Sequence, residues 1–233
     1  MHPVVVFDYA RNRKGEHCQR FLRDWRGILQ TDDYAGYDAL YRTGRVIEAA
    51  CWAHVRRHFY DVNEAAPSPV AQEALLRIAQ LYAIEATIKD DPPERRRALR
   101  TERATPLLAA FRTWLQAVLP QVAAKSAIAK AIRYALKRWE ALLRYCDEGP
   151  LSIDNNPVER TLRGVAISRK NLLFAGNDAG GERAAAIYTL IETCKLNDVE
   201  PFAYLCDVLE KLPTWPPKRL SELLPFNWKR SLS

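Results

Sequence analysis

Apolar positions along the chain change texture near residue 60. Before it they form short runs closed by polar turns. Val4-Val5-Val6-Phe7-Asp8-Tyr9, β-branched and aromatic and followed by Arg-Asn-Arg-Lys-Gly, predicts a buried strand and a turn. Phe21, Leu22 and Trp25 share one face of a helix predicted over about 16–26, which Gly27 ends. Gly27-Ile28-Leu29-Gln30-Thr31 predicts a second strand running into Asp32-Asp33, and Tyr34-Ala35-Gly36-Tyr37 closes it. A third strand is predicted over about 45–52, leading into a helix that starts near His54.

From about 61 to 148 the strand-like runs vanish. Long stretches of Ala, Leu, Arg and Glu are broken only near Pro67, Pro92-Pro93 and Pro120. Leu75, Ile78, Ala79 and Tyr82 recur at helical steps, as do Leu108, Phe111, Leu115 and Leu119, then Ile128, Ile132, Leu136, Trp139 and Leu143. These spacings predict helices with one apolar face each, packed as antiparallel neighbours. After Gly149-Pro150 a further helix is expected, capped by Asn156 with Pro157 at its first position, then one opened by Gly180-Gly181 and running to about Leu196. The resulting division is a β-rich part over 1–60, a helical insertion over 61–148, two helices over 149–197, and a last helix with a Pro-rich tail over 198–233. The fold class is α/β with helix predominating.

Composition narrows the function classes. With 233 residues, 48% apolar and 27% charged, the chain matches ordered globular proteins. It contains no apolar run near the roughly 20 residues a membrane span needs, and its start lacks signal-peptide features, so a cytoplasmic protein is expected. Five scattered cysteines suit a reducing compartment. The net charge of +7 favours polyanionic partners, nucleic acid foremost, although solvated surface cations give the same total.

Asp32 ends a predicted strand, where open α/β sheets present catalytic groups; it also fits a plain acidic turn. Asp33, its neighbour, should face the other way. Glu159, three residues after Asn156, fits either a catalytic carboxylate or the closure of a capping box. Cys51, His54 and His58 have partial metal-ligand spacing, but no fourth ligand completes a zinc set. Arg56, Arg57, Arg160, Arg163, Arg169 and Lys170 flank both carboxylates and suit either phosphate contacts or a solvated face.

In combination these segments resemble the IS66-type insertion-sequence transposases over nearly the whole chain. The resemblance is carried by Val5-Val6-Phe7-Asp8-Tyr9 with Arg13-Lys14-Gly15-Glu16-His17, by Gly27 to Asp32 with Tyr34-Ala35-Gly36-Tyr37, and by Cys51-Trp52-Ala53-His54-Val55-Arg56-Arg57. It is densest in Ile153-Asp154-Asn155-Asn156-Pro157-Val158-Glu159-Arg160, continuing through Arg169-Lys170-Asn171 and Leu173-Phe174-Ala175-Gly176 to Gly180–Ala185, and it closes with Glu222-Leu223-Leu224-Pro225-Phe226-Asn227-Trp228.

The resemblance implies a ribonuclease-H-like fold with an Asp, Asp, Glu triad and a helical insertion before the glutamate. Asp32 matches the second aspartate and Glu159 the glutamate. Such carboxylates hold two Mg²⁺ (or Mn²⁺) ions about 4 Å apart for cleavage and joining of DNA strands. The partners implied are transposon-end and target DNA in the nucleoid, further copies of the chain, or an upstream transposase segment. The family pattern places the first aspartate and the first two strands upstream, with Asp8 an additional residue rather than a substitute. A truncated or split enzyme, inactive alone, is therefore expected, with a non-catalytic DNA-binding or regulatory remnant as the alternative. Loss of the first strands would leave an edge beside the strand ending at Asp32, so the Val4–Tyr9 run should pair there or solubility should suffer.

Overall fold

A computed structural model describes residues 2–171 and 177–228, without the side chains of 165–171. The chain forms two compact units, a larger one of residues 18–158 and a smaller one of residues 1–17 with 159–233.

In the larger unit, strand β1 (Gly27–Gln30) pairs in parallel with β2 (Val46–Ala49), in the register Gly27↔Val46 to Gln30↔Ala49. A parallel pair needs a crossover, and the short helix α2 (Asp38–Tyr41) provides it. The helix before β1, α1, covers only Gly15–Phe21, shorter than the predicted 16–26. The chain turns at Leu22 instead, where Trp25 N–H donates to its carbonyl at 3.1 Å, and Phe21 and Trp25 are left 51% and 38% exposed rather than on a buried face. Gly27 enters β1 at φ +138°, a conformation L side chains rarely adopt.

The predicted all-helical stretch is α3 (Trp52–Ala65), α4 (Pro69–Thr87), α5 (Pro93–Leu99), α6 (Thr105–Val118), α7 (Ala127–Lys137) and α8 (Trp139–Asp147). Ser68 and Ser126 cap α4 and α7, accepting from Ala71 and Ala129 N–H. One π-helical turn, Arg100–Ala104, joins α5 to α6. The apolar faces meet in one core whose centre is aromatic: Trp52, Phe111 and Trp139 are all but shielded from solvent, with ring centres 5.7–6.1 Å apart. The periodic run from Ile128 to Leu143 is not one helix. Arg138 interrupts it at φ −104°, ψ 13°. Helix α8 then lies against β2, Ala50 N–H donating to Ala141 carbonyl at 3.0 Å and Arg144 Nε to Glu48 carbonyl at 2.8 Å.

In the smaller unit, α9 (Asn156–Asn171, entered from the larger unit), α10 (Asp178–Leu196) and α11 (Pro201–Lys211) carry most of the described residues. Asn177 caps α10 by accepting from Gly180 N–H at 2.9 Å. The predicted strand over Val4–Tyr9 does not form. Its backbone groups bond instead to two threonines one turn apart on α10: Val5 N–H donates to Thr193 Oγ1 at 3.2 Å and Phe7 N–H to Thr189 Oγ1 at 2.9 Å. The expected pairing of this run with its neighbour is therefore absent, and among the described residues the sheet consists of β1 and β2. The Pro-rich tail folds back on α11, where Tyr204 hydroxyl donates to Leu223 carbonyl at 2.7 Å.

Candidate functional site at the carboxyl edge of the parallel strands

Because β1 and β2 are parallel, their carboxyl ends share one edge, from which Thr31-Asp32-Asp33 and Ala50-Cys51 emerge. Thr31 is buried, its hydroxyl 2.9 Å from that of Tyr41, while Asp32 is exposed. The two adjacent acids differ in circumstance. Asp33 forms an ion pair with Arg138, whose guanidinium also donates to Glu48 Oε1 at 2.7 Å. Asp32 has no hydrogen-bond partner among the described residues, yet its charge acts on Tyr37, Tyr134 and Arg138. The edge thus holds an open carboxylate beside a cation already matched by two others.

The Asp154-Asn155-Asn156 segment is fastened to the same edge. Trp52 N–H donates to Ile153 carbonyl at 3.2 Å, and the Cys51 thiol donates to Asn155 Oδ1 at 2.9 Å. Burial raises the Cys51 pKa, which keeps it a neutral donor rather than a thiolate. Asp154, only 6% exposed, accepts from Tyr82 hydroxyl at 2.8 Å and from Asn156 Nδ2 at 2.7 Å on one oxygen, and from Asn156 N–H at 3.1 Å on the other. Asn156 is therefore the first residue of α9 and a donor to Asp154, not the cap the sequence suggested. The roles of Asp154, Asn155 and Tyr82 escaped sequence reasoning, because nothing local pairs Tyr82 with a residue 72 positions on.

Glu159 lies in the first turn of α9 and is exposed. It belongs to the smaller unit and Asp32 to the larger. Arg56 and Arg57 are exposed on α3, with the Arg56 guanidinium 5.9 Å over the Tyr60 ring, and Arg160 and Arg163 are exposed on α9. The side chains of Arg169 and Lys170 lie outside the described residues, as do residues 172–176. His58 packs its ring 4.2 Å from that of Tyr134, and burial lowers its pKa, favouring the neutral form. Among the described residues no three His, Cys, Asp or Glu side chains converge closely enough to hold a metal ion, and no helix is long and apolar enough to cross a membrane.

Known proteins match this chain along its length. Residues 1–183 match the family described as "Transposase IS66 family", and residues 189–226 the "IS66 C-terminal element". The chain is similar to uncharacterized protein y4hP of Sinorhizobium fredii, 37% identical over 245 residues that cover 98% of this chain and 44% of that protein. Uncharacterized protein y4qI of the same organism is 36% identical over 236 residues, covering 97% and 44%. Uncharacterized protein YuaK of Escherichia coli is 43% identical over 50 residues, 22% of this chain and 53% of that protein. The chain thus spans less than half the length of the two S. fredii relatives. No solved structure matches it. The chain belongs to the IS66 family of transposases.

Proposed function

We propose that this chain supplies catalytic carboxylates and DNA contacts to a DDE-type transposase that cleaves and joins DNA strands, on a ribonuclease-H-like fold interrupted by the α3–α8 helices. The observation that carries the reading is Asp32: an exposed carboxylate at the carboxyl end of a parallel strand, with no hydrogen-bond partner among the described residues. Its oxygens fit a hard divalent ion: the neighbouring cation Arg138 makes its ion pairs with Asp33 and Glu48, which leaves the Asp32 oxygens without a bonded partner among the described residues. Asp32 and Glu159 are the assigned ligands. Mg²⁺ or Mn²⁺ held by such carboxylates activates the attacking water or DNA hydroxyl and stabilises the leaving oxygen.

Arg56, Arg57, Arg160, Arg163, Arg169 and Lys170 hold the DNA backbone, a task that sets position more than sequence. The Cys51–Asn155 and Tyr82–Asp154 bonds hold the segment that leads into α9. The working assembly contains transposon-end and target DNA, with further copies of the chain or an upstream transposase segment, in the nucleoid.

The test is a strand-cleavage and joining assay on transposon-end DNA with Mg²⁺, the chain being supplied together with the upstream transposase segment. Asp32→Asn and Glu159→Gln are each expected to slow reaction roughly a thousand-fold while leaving DNA affinity intact. Undiminished reaction in both variants would instead favour a role confined to DNA binding.

A further inference from the structure

Helices α3 and α7 enclose an open cleft of about 710 Å³ that the proposed chemistry does not use. That size falls within the roughly 300–1,000 Å³ typical of small-ligand sites. Its walls are mainly apolar, with Val62, Pro67 and Ile128 among them, and the rings of His58 and Tyr134 also line it. Those rings pack 4.2 Å apart at an interplanar angle of 47°, and the Arg138 guanidinium sits 5.7 Å from the Tyr134 centroid. Arg138, Tyr134 and His58 thus form a contiguous cation and ring assembly, and its His58 end is exposed in the cleft.

Two charged side chains line the cleft, Lys130 and Asp61. The helices around it are basic in balance: α3 and α7 carry Arg56, Arg57, Lys130, Arg133 and Lys137 against Asp61 and Glu64. An apolar, ring-lined recess within a cationic surround suits a group that is flat and aromatic but tethered to phosphate. The recess also adjoins the carboxyl edge of the strands. The Arg138 guanidinium that sits over the Tyr134 ring is paired with Asp33, the neighbour of Asp32, and with Glu48 of β2, and so links the recess to that edge.

We infer that the α3–α7 cleft binds a nucleobase unstacked from the DNA strand held at Asp32, with His58 and Tyr134 as its stacking surface and Lys130 beside its phosphate. This deepens the DNA-processing reading and rests on it. A base drawn out of the helix here is recognised by its face, so the cleft takes single-stranded or frayed DNA in preference to intact duplex.

The experiment uses the chain with a 2-aminopurine-labelled single-stranded oligonucleotide and a blunt duplex of the same sequence. Quenching of the single strand is expected, with little for the duplex. His58→Ala should weaken single-strand binding roughly ten- to hundred-fold and restore fluorescence, leaving duplex affinity unchanged. His58→Phe, which keeps a ring, should recover both. Because His58 is exposed, neither variant threatens the fold, and unchanged duplex affinity confirms it. Asp32→Asn should leave quenching intact, so failure of the metal assignment and failure of this one read out separately. Equal single-strand affinity and equal quenching for wild type and His58→Ala would overturn the proposal, as would rescue by Phe in affinity but not in quenching.

Discussion

Arg100 and Glu85 face each other across α4 and the π-helical turn in a two-armed ion pair, Nε to Oε1 at 2.7 Å and Nη2 to Oε2 at 2.6 Å, with the guanidinium wholly shielded from solvent. Its remaining N–H groups donate to the carbonyls of Tyr145, Glu148, Gly149 and Leu151. The pair therefore ties the helical stretch to the linker that leads into Asp154-Asn155-Asn156. Removing one partner of such a pair strands a buried charge, which costs about 3–5 kcal/mol. Arg100→Ala is expected to lower unfolding free energy by that amount, read from the urea midpoint at unchanged m-value. A loss below about 1 kcal/mol would mean the guanidinium is replaceable by water.

The same linker passes so close to α5 that a Cβ at Gly149 would lie 2.0 Å from the Pro93 carbonyl oxygen, a backbone atom that cannot swing aside. Gly149→Ala should therefore destabilise by about 1–3 kcal/mol, as overpacking does. Thermal unfolding measures it. A variant as stable as the parent would show that the linker has room to shift.

Asp32 and Asp33 offer an internal comparison. Asp33→Asn removes the ion pair with Arg138, but Asp33 is half exposed, so stability should change by no more than about 1 kcal/mol. Asp32→Asn should leave stability unchanged and reduce strand cleavage roughly a thousand-fold, since metal-ion stabilisation is worth several kcal/mol. Parallel cleavage and urea-unfolding measurements on the two variants decide it. Equal cleavage losses would remove the distinction drawn between the two acids.

Helical periodicity was the most legible feature of the sequence. Ile78, Leu108, Phe111, Leu115, Ile132 and Trp139 were placed on apolar faces from spacing alone, and all are buried. What periodicity could not show were interruptions set by distant partners. Arg138 breaks the α7–α8 run without Gly or Pro, in a conformation from which its guanidinium meets Asp33 and Glu48, the latter 90 residues earlier. Val4–Phe7 has strand composition, but Thr189 and Thr193 take its amides, an alternative that propensity does not register. At the candidate site, the place of Asp32 just beyond a strand was legible, because Gly27–Gln30 has strand composition. The Cys51–Asn155 bond was not, since it joins residues 104 apart that each look unremarkable in their own segment.

The tail provides a pH test. Trp228 Nε1 donates to Asp207 Oδ2 at 2.8 Å, Lys211 donates to the same oxygen at 2.7 Å, and the Trp228 ring meets Tyr204 edge-on at 5.7 Å. The hydrogen bond from Lys211, then that from Trp228, holds the Asp207 carboxyl below its ordinary 3.8. A depressed carboxylate contributes stability that is fully present above the unfolded-state value and lost as pH falls through the folded one. Docking of the tail on α11 should therefore be constant from neutral pH down to about 4 and weaken only below that. The Trp228 indole N–H resonance and its exchange protection report this directly. Asp207→Asn keeps an acceptor but not the charge, so the tail should be looser at neutral pH and insensitive to acid. Movement of the resonance between pH 5 and 7, or an Asp207→Asn protein that still titrates like the parent, would assign the acid response to another group.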